Sequence, residues 1–321
     1  MGESFLGSET LCIVVPCYNE EESLGAFRDA LEEVEGSLTE YLAKPIDFVF
    51  VDDGSGDRTL AILREFHRLS SRYHYVSFSR NFGKEAGLLA GLQQAEKLGS
   101  TCVAVMDVDL QDPPALLPKM FARMAETDCD VVATYRESRE GEPPVRSWFA
   151  HRFYGLMNRI SDVEMRDGAR DFRLMRQRVV RAILSLPERE RFSKGLFAWV
   201  GFDTEWIGYK NIEREHGETH WSFWSLVKYA MSGVIDFSKV PLEGISIAGL
   251  VVFLLSLVFL VFIVVRAAIF GDPVAGWPSL VCIVTLLCGL QLLGIGVIGL
   301  YLSRIYSEVK ARPAYVAKEE A

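Results

Sequence analysis

Val103–Pro114, VAVMDVDLQDPP, is the stretch on which the reading of the chain turns. A short apolar run, Val103 to Met106, stops abruptly in Asp107, Asp109, Gln111 and Asp112. On a strand, residues i and i+2 project to one side, so Asp107 and Asp109 are expected together, with Val108 facing back. Two convergent carboxylates at a strand end suit a hard divalent cation, and Gln111 adds a neutral oxygen. Spacing alone is weak evidence, because Asp128 and Asp130 form a second D-x-D. That copy lies between a helix end and a strand start, at the wrong edge of a sheet, and reads as solvated.

Outward from this stretch, apolar strands alternate with amphipathic helices. Leu11 to Pro16 reads as a strand, and Asn19 with Glu20, Glu21 and Glu22 opens a helix to about Glu35. Phe48 to Val51 is a second strand, ending in Asp52, Asp53 and Gly54, followed by a helix to about Ser71. Val76 to Phe78, Val103 to Met106 and Val131 to Thr134 are further strands, with helices over Glu85 to Lys97 and Ala115 to Glu126. This alternation predicts an α/β domain with a doubly wound, mainly parallel sheet. Such sheets bind ligands at the carboxyl ends of their strands, where Asp52/Asp53 and Asp107/Asp109 both fall. Farther on, Asp171 to Met175 leads into a helix, Gly201 to Glu213 has partial strand character, and Trp148 to Ser161 reads as a helix.

The chain has 321 residues, half of them hydrophobic, enough for one sizeable domain and something more. The addition lies near the C-terminus, where Ile245 to Val265 and Leu280 to Leu302 contain no Lys, Arg, Asp or Glu. Each is long enough to cross a bilayer, and a short Gly/Pro connector predicts a helical hairpin. Lys228, Lys239, Arg304, Lys310, Arg312 and Lys318 flank one side and Arg266 the other, so the N-terminal part is expected in the cytoplasm. Trp221 to Phe237, with Trp224 and Tyr229, reads as an interfacial amphipathic helix. The expected organisation is residues 1–220 as a cytoplasmic catalytic domain, 221–241 as the interfacial region, and 242–321 as a membrane domain. Its spans run over about 245–267 and 280–302, followed by a cytoplasmic tail. Met1 to Thr10 carries no basic segment of a signal peptide. The six cysteines show no paired CxxC spacing and read as reduced. A net charge of −9 argues against nucleic acid.

Asp52 and Asp53 read either as turn residues before Gly54 or, with Pro16, Tyr18, Asn19 and Glu20, as a nucleoside pocket. There a carboxylate accepts from a uracil or ribose donor and Tyr18 packs on the base. Arg80 to Lys84, a basic turn opening a helix, reads as a phosphate contact or as a capped surface turn.

Seven stretches together carry a resemblance. They are VVPCYNEEESL (14–24), FVFVDDGSGDRT (48–59), SFSRNFGKEAGLLAGL (77–92), MDVDLQDPP (106–114), GARDFRLM (168–175), LPERERFSKGLFAWVGF (186–202) and REHGETHWSFWSL (214–226). In this order they resemble the polyprenyl-phosphate glycosyltransferases of glycosyltransferase family 2, which include bactoprenol glucosyltransferases and dolichyl-phosphate mannose synthases. The resemblance implies a GT-A fold and a divalent metal, Mg²⁺ or Mn²⁺. It implies inverting transfer of a sugar from a nucleotide to a lipid phosphate at the cytoplasmic face. UDP-glucose and undecaprenyl phosphate are the expected substrates, with GlcNAc, mannose or an aminoarabinose derivative as alternative sugars. A catalytically inactive scaffold is the alternative from another class, and a processive synthase is disfavoured because QxxRW is absent.

By position, Asp107, Asp109 and Gln111 resemble the metal and diphosphate site. Pro16, Tyr18, Glu20, Asp52, Asp53 and Lys84 resemble nucleotide-sugar contacts. Asp171 is the second catalytic candidate beside Asp109, and Arg136 and Arg173 resemble residues near sugar and phosphates. Arg214 and the loop Gly217 to Trp221, with Thr219 and His220, are similar to the family's G-x-[ST]-K element, where His220 replaces the lysine of many members and makes the charge pH-dependent. The resemblance also implies a multi-pass protein of the cytoplasmic membrane and a homo-oligomer such as a tetramer, and it leaves open whether a separate flippase takes the product. Gly289, Gly294, Gly296 and Gly299 are expected to let the second span pack closely.

Overall fold

The computed structural model describes residues 7–137, 152, 155, 158–161, 163, 166–209, 234–235, 238, 240–270 and 276–321. The strands are β1 (Leu11–Cys17), β2 (Asp47–Asp52), β3 (Tyr73–Phe78), β4 (Cys102–Val105), β5 (Val131–Arg136), β6 (Ala169–Arg176), β7 (Thr204–Tyr209) and β8 (Ala317–Glu320). The helices are α1 (Leu24–Glu35), α2 (Thr59–Leu69), α3 (Lys84–Leu98), α4 (Leu117–Thr127), α5 (Gln177–Ser185), α6 (Ser193–Trp199), α7 (Val240–Phe270) and α8 (Trp277–Lys310).

The strands form one sheet in the order β7-β5-β6-β4-β1-β2-β3-β8. Successive β1 residues are buried on opposite faces. Leu11, Ile13 and Val15 join a core with Phe27, Phe50 and Phe121, while Cys12 and Val14 join a second core with Leu88 and Val105. A sheet covered on both faces must be apolar at every position, which is why its strands read as continuous runs rather than alternating ones.

The expected mainly parallel sheet is instead mixed. β1 pairs in parallel with β2 and β4, β2 with β3, and β5 with β7, but β6 runs antiparallel between β4 and β5. Asp171 to Met175 is therefore the heart of a strand, with Arg173 opposite Val105. Strand direction leaves no mark on the burial pattern, which is the same for either sense of pairing. The expected partial strand after Gly201 is β7.

The C-terminal stretch, expected as a tail, closes the far edge of the sheet as β8, antiparallel to β3. Its AKEE sequence has little strand propensity. Tertiary contacts hold it: Tyr315 stacks on Phe78 at 4.7 Å and donates to Gln93 Oε1 at 2.7 Å. Arg64 Nε donates to Glu319 Oε1 at 2.9 Å, and Tyr75 and Ala321 exchange two backbone hydrogen bonds at 3.0 Å.

The two expected spans fall within α7 and α8. Among the described residues one helical stretch, Leu286–Lys310, is long and apolar enough to cross a membrane, and Val240–Val252 is a shorter apolar helix. The helices touch where Tyr301 donates to the Ser238 carbonyl at 2.7 Å and where a Cβ on Gly294 would lie 3.3 Å from Ile245. Among the described residues, added Cβ atoms at Gly289, Gly296 and Gly299 would meet nothing within 4 Å, and Gly294 is the one of the four that makes a close approach. The interfacial helix expected over Trp221 to Phe237 falls outside the described residues but for positions 234–235, and the helix expected over Trp148 to Ser161 is described only in part.

α3 lies so close to the sheet that a Cβ at Gly91 would come within 2.1 Å of Val14 Cγ1. Gly91→Ala is expected to lower stability by about 2 kcal/mol through overpacking, read from the urea midpoint. Tyr315→Ala is expected to cost about 2 kcal/mol by removing the stacked ring and its hydrogen bond, and to speed amide exchange at β8.

Candidate active site

The strand-end carboxylates meet a lysine. β4 stops at Val105, so Asp107 and Asp109 lie in the turn beyond it rather than on the strand, while Val108 is buried as expected. Lys84, the first residue of α3, places Nζ 2.6 and 2.9 Å from the two Asp107 oxygens and 2.6 Å from Asp171 Oδ2. Asp171 reaches this point because antiparallel β6 starts beside the end of β4. Burial opposes the charge on Lys84, but Asp107 and then Asp171 outweigh it and raise the ammonium above the usual lysine range. Burial alone would likewise raise the Asp171 carboxyl. Lys84, then Lys194 and Arg173, overcome this and hold Asp171 well below the usual carboxylate range.

The loop after Asp107 is braced from behind. Asp112 is fully buried, accepting from Arg170 Nε at 2.9 Å and from the Tyr209 hydroxyl. Burial raises its carboxyl, against the opposing pull of Arg170. Gln111 Oε1 accepts from Arg136 Nη2 at 3.2 Å and Arg170 Nη2 at 3.4 Å. The oxygen expected on a metal is thus turned toward two guanidinium groups, which repel a cation. Asp109 Oδ1 accepts the Gln111 amide at 3.2 Å, with Leu110 between them at φ 55°. Asp112 and Tyr209 carried no signal as site residues in the sequence, since their pairing joins positions far apart in the chain.

Asp52 and Asp53 serve mainly as loop braces. Asp52, 1% exposed, accepts from the Ser55 amide at 2.9 Å and the Ser77 hydroxyl at 2.7 Å. Asp53 accepts the amides of Phe82 and Gly83 at 2.6 and 2.9 Å, and burial nevertheless raises its carboxyl. The Phe82 and Gly83 amides at the start of α3 are therefore engaged by Asp53. Gly54, at φ 70°, lets the two loops touch, since a Cβ there would lie 2.4 Å from the Arg80 carbonyl carbon. Beside them the Tyr18 ring is exposed and Pro16 and Glu20 are half-buried.

Arg173 is a buried cation. It is 5% exposed, under Phe197 at 3.6 Å, and donates to the Asp171 and Arg170 carbonyls. Arg214, Thr219 and His220 lie outside the described residues. The second D-x-D is at the opposite edge, as expected, but is ion-paired: Arg176 Nη2 lies 2.7 Å from Asp128 Oδ1, and Arg178 pairs with Asp130. Glu85, missed in the sequence, accepts from the Ser193 amide at 2.9 Å and fixes the start of α6.

Among the described residues no three His, Cys, Asp or Glu side chains converge on a metal position. Asp107 nonetheless already holds one cation, the Lys84 ammonium, through two carboxylate oxygens. A hard-oxygen donor set that binds an ammonium ion fits a divalent cation completed by phosphate oxygens.

The chain matches Glycosyl transferase family 2 over residues 12–184. An uncharacterized glycosyltransferase of Synechocystis, sll0501, is 40% identical over 96% of this chain and 95% of its own length. A bactoprenol glucosyl transferase of Shigella phage SfII is 37% identical over 96% and 97%. Among solved structures, glucosyl-3-phosphoglycerate synthase of Mycobacterium tuberculosis superposes with a TM-score of 0.47 at 16% identity, covering 73% of this chain and 80% of its own. With its strand-end carboxylates at the end of β4 and a family match across more than half its length, the chain belongs to glycosyl transferase family 2 and is a glycosyltransferase.

Proposed function

We propose that this enzyme transfers glucose, with inversion, from UDP-glucose to undecaprenyl phosphate at the cytoplasmic face of the membrane. The carrying observation is the ion pair on Asp171, whose Oδ2 lies 2.6 Å from Lys84 Nζ. A carboxylate held ionised by Lys84, Lys194 and Arg173 is a poor proton acceptor, because base strength follows pKa. A sugar hydroxyl needs such a base, whereas a phosphate monoester, with its second pKa near about 6, arrives already anionic. The bactoprenol glucosyl transferases among the relatives support this acceptor and sugar.

In the reaction an acceptor phosphate oxygen attacks the anomeric carbon while the bond from that carbon to the β-phosphate oxygen breaks. The bonding pair leaves with UDP, and no proton is taken up by Asp171. Asp107 and Asp109 are the residues that would hold Mg²⁺ or Mn²⁺, which neutralises the diphosphate and stabilises the leaving group. Gln111 serves in holding Arg136 and Arg170. Asp52, Asp53, Pro16, Tyr18 and Glu20 shape the nucleoside rim.

α7 and α8 form the membrane hairpin in this reading. Apolar side chains such as Val258, Leu286 and Leu292 are 69, 74 and 69% exposed, an arrangement that suits lipid rather than water. The return of the chain through β8 supports a hairpin whose C-terminal end lies on the side of the catalytic domain. Assembly into a homo-oligomer and release to a flippase belong to the same proposal.

Membranes supplied with a panel of UDP- and GDP-sugars are expected to form lipid-linked product from UDP-glucose and to lose it with EDTA. Product from GDP-mannose alone would overturn the sugar, and no product with any lipid phosphate would overturn the reading. Asp109→Ala is expected to lower transfer about a thousandfold. Asp171→Asn is expected to retain measurable transfer at neutral and alkaline pH. The rate is expected to fall below about pH 6, as the acceptor gains its second proton, and to stay level above it. Asp171 remains ionised throughout this range and adds no step of its own.

A further inference from the structure

Where β5, β6 and β7 meet α5 and α6, the sheet leaves a cavity of about 190 Å³. Val131, Met175, Val179, Phe197, Phe202 and Trp206 form apolar walls. Three cations, Arg166, Arg173 and Lys194, also line it, and among the described residues no carboxylate does. Their contacts are neutral ones. The Arg166 guanidinium lies 3.8 Å from the Tyr135 ring and 5.2 Å from Trp206. Lys194 Nζ donates to the Ala169 carbonyl at 3.2 Å, and Arg173 donates to two backbone carbonyls at 3.2 and 2.9 Å. Among the described residues none of the three forms an ion pair with a carboxylate.

Cations gathered on apolar walls without a hydrogen-bonded anion are costly to bury. Burial pushes Arg173 down to about 10, against the opposing field of Asp171. Among the described residues, the Asp171 carboxylate compensates Lys194 and Arg173 in part through its field, without a hydrogen bond to either, and Arg166 faces aromatic rings. The cavity's position matters equally. Ala169, Arg173 and Met175 line the cavity from one face of β6, and Asp171 belongs to the same alternating row. The lining residues Ala169 and Arg173 therefore stand about 7 Å, one strand repeat, along β6 on either side of Asp171, the residue that touches Lys84.

We infer that this cavity seats the acceptor of the proposed reaction: a phosphate monoester held by Lys194 and Arg166, with the first carbons of its apolar chain against Trp206 and Phe197. The inference rests on the function proposed above and names where its acceptor binds. The volume is below the roughly 300 Å³ of a drug-sized site, so it takes a headgroup and the start of a chain, leaving the rest to the bilayer. A free phosphate would leave the aromatic walls unused, and a neutral alcohol would leave Lys194 and Arg166 without a hydrogen-bonded anion.

The test uses the detergent-solubilised full chain with farnesyl phosphate, farnesol and inorganic phosphate as probes, read by calorimetry. Farnesyl phosphate is expected to bind at least about tenfold more tightly than either of the others. Lys194→Gln and Arg166→Gln are each expected to weaken it about tenfold and to raise KM for the lipid phosphate equally, with KM for the UDP-sugar unchanged. Lys194→Arg is expected to retain most of the affinity, which a merely structural lysine contact to Ala169 would not require. The inference is overturned if both Gln variants, still folded by thermal melting, bind farnesyl phosphate like the parent. It is equally overturned if inorganic phosphate or farnesol binds as well, or if only the UDP-sugar KM moves. Charge-dependent binding without transfer from any nucleotide sugar would instead sink the proposed function and leave the cavity's ligand class standing.

Discussion

One ammonium group joins the elements on which the site depends. Lys84 Nζ lies within 2.6 Å of both Asp107 and Asp171, so it ties the start of α3 to the turn after β4 and to the start of β6. Without it two carboxylates from different elements would face each other across a partly dry cleft, where like charges repel strongly. Its own placement depends on the loop before it. Asp53 holds the amides of Phe82 and Gly83, and Gly54 allows that loop to come within contact, so α3 begins where its first side chain can cross to β4.

Around this contact the groups divide into braces and a working face. Asp112, Arg170 and Tyr209 form a buried polar brace behind the 107–111 loop. Glu85 braces α6 through Ser193 and so sets the position of Lys194. The first of these braces holds its loop in place through Asp112 Oδ1, which takes both donors, while the buried Asp112 Oδ2 meets none among the described residues. The cations around Asp171 have the further effect of weakening it as a base, which narrows the acceptors the site can serve.

A second constraint acts at the sheet's far edge. The end of α8 contacts the domain where Glu308 Oε1 accepts the Arg189 amide at 2.8 Å and where Arg304 pairs with Glu190. Seven residues beyond α8 the chain has become β8, paired to β3. A flexible tail would leave the catalytic domain free to swing on the helices. An antiparallel strand with a stacked tyrosine restricts that motion, and it also covers an otherwise open strand edge.

The parallel core β3-β2-β1-β4, its helices, and the apolar C-terminal helices were all legible in the residues. Local periodicity reports burial, and burial on both faces of a strand or all round a helix leaves a long apolar run. The D-x-D at Asp107 was distinguishable from the copy at Asp128 by the strand before it. What local pattern does not carry is pairing between distant segments. Whether β6 runs with or against β4, whether AKEE joins a sheet, and whether the Asp52 oxygens face a nucleoside or Ser77 depend on atoms tens of residues away. The same holds for Lys84, read in the chain as a phosphate contact and placed by the fold between Asp107 and Asp171. A side chain's type sets what it can bind, and only the packed fold decides which of its partners comes within 3 Å.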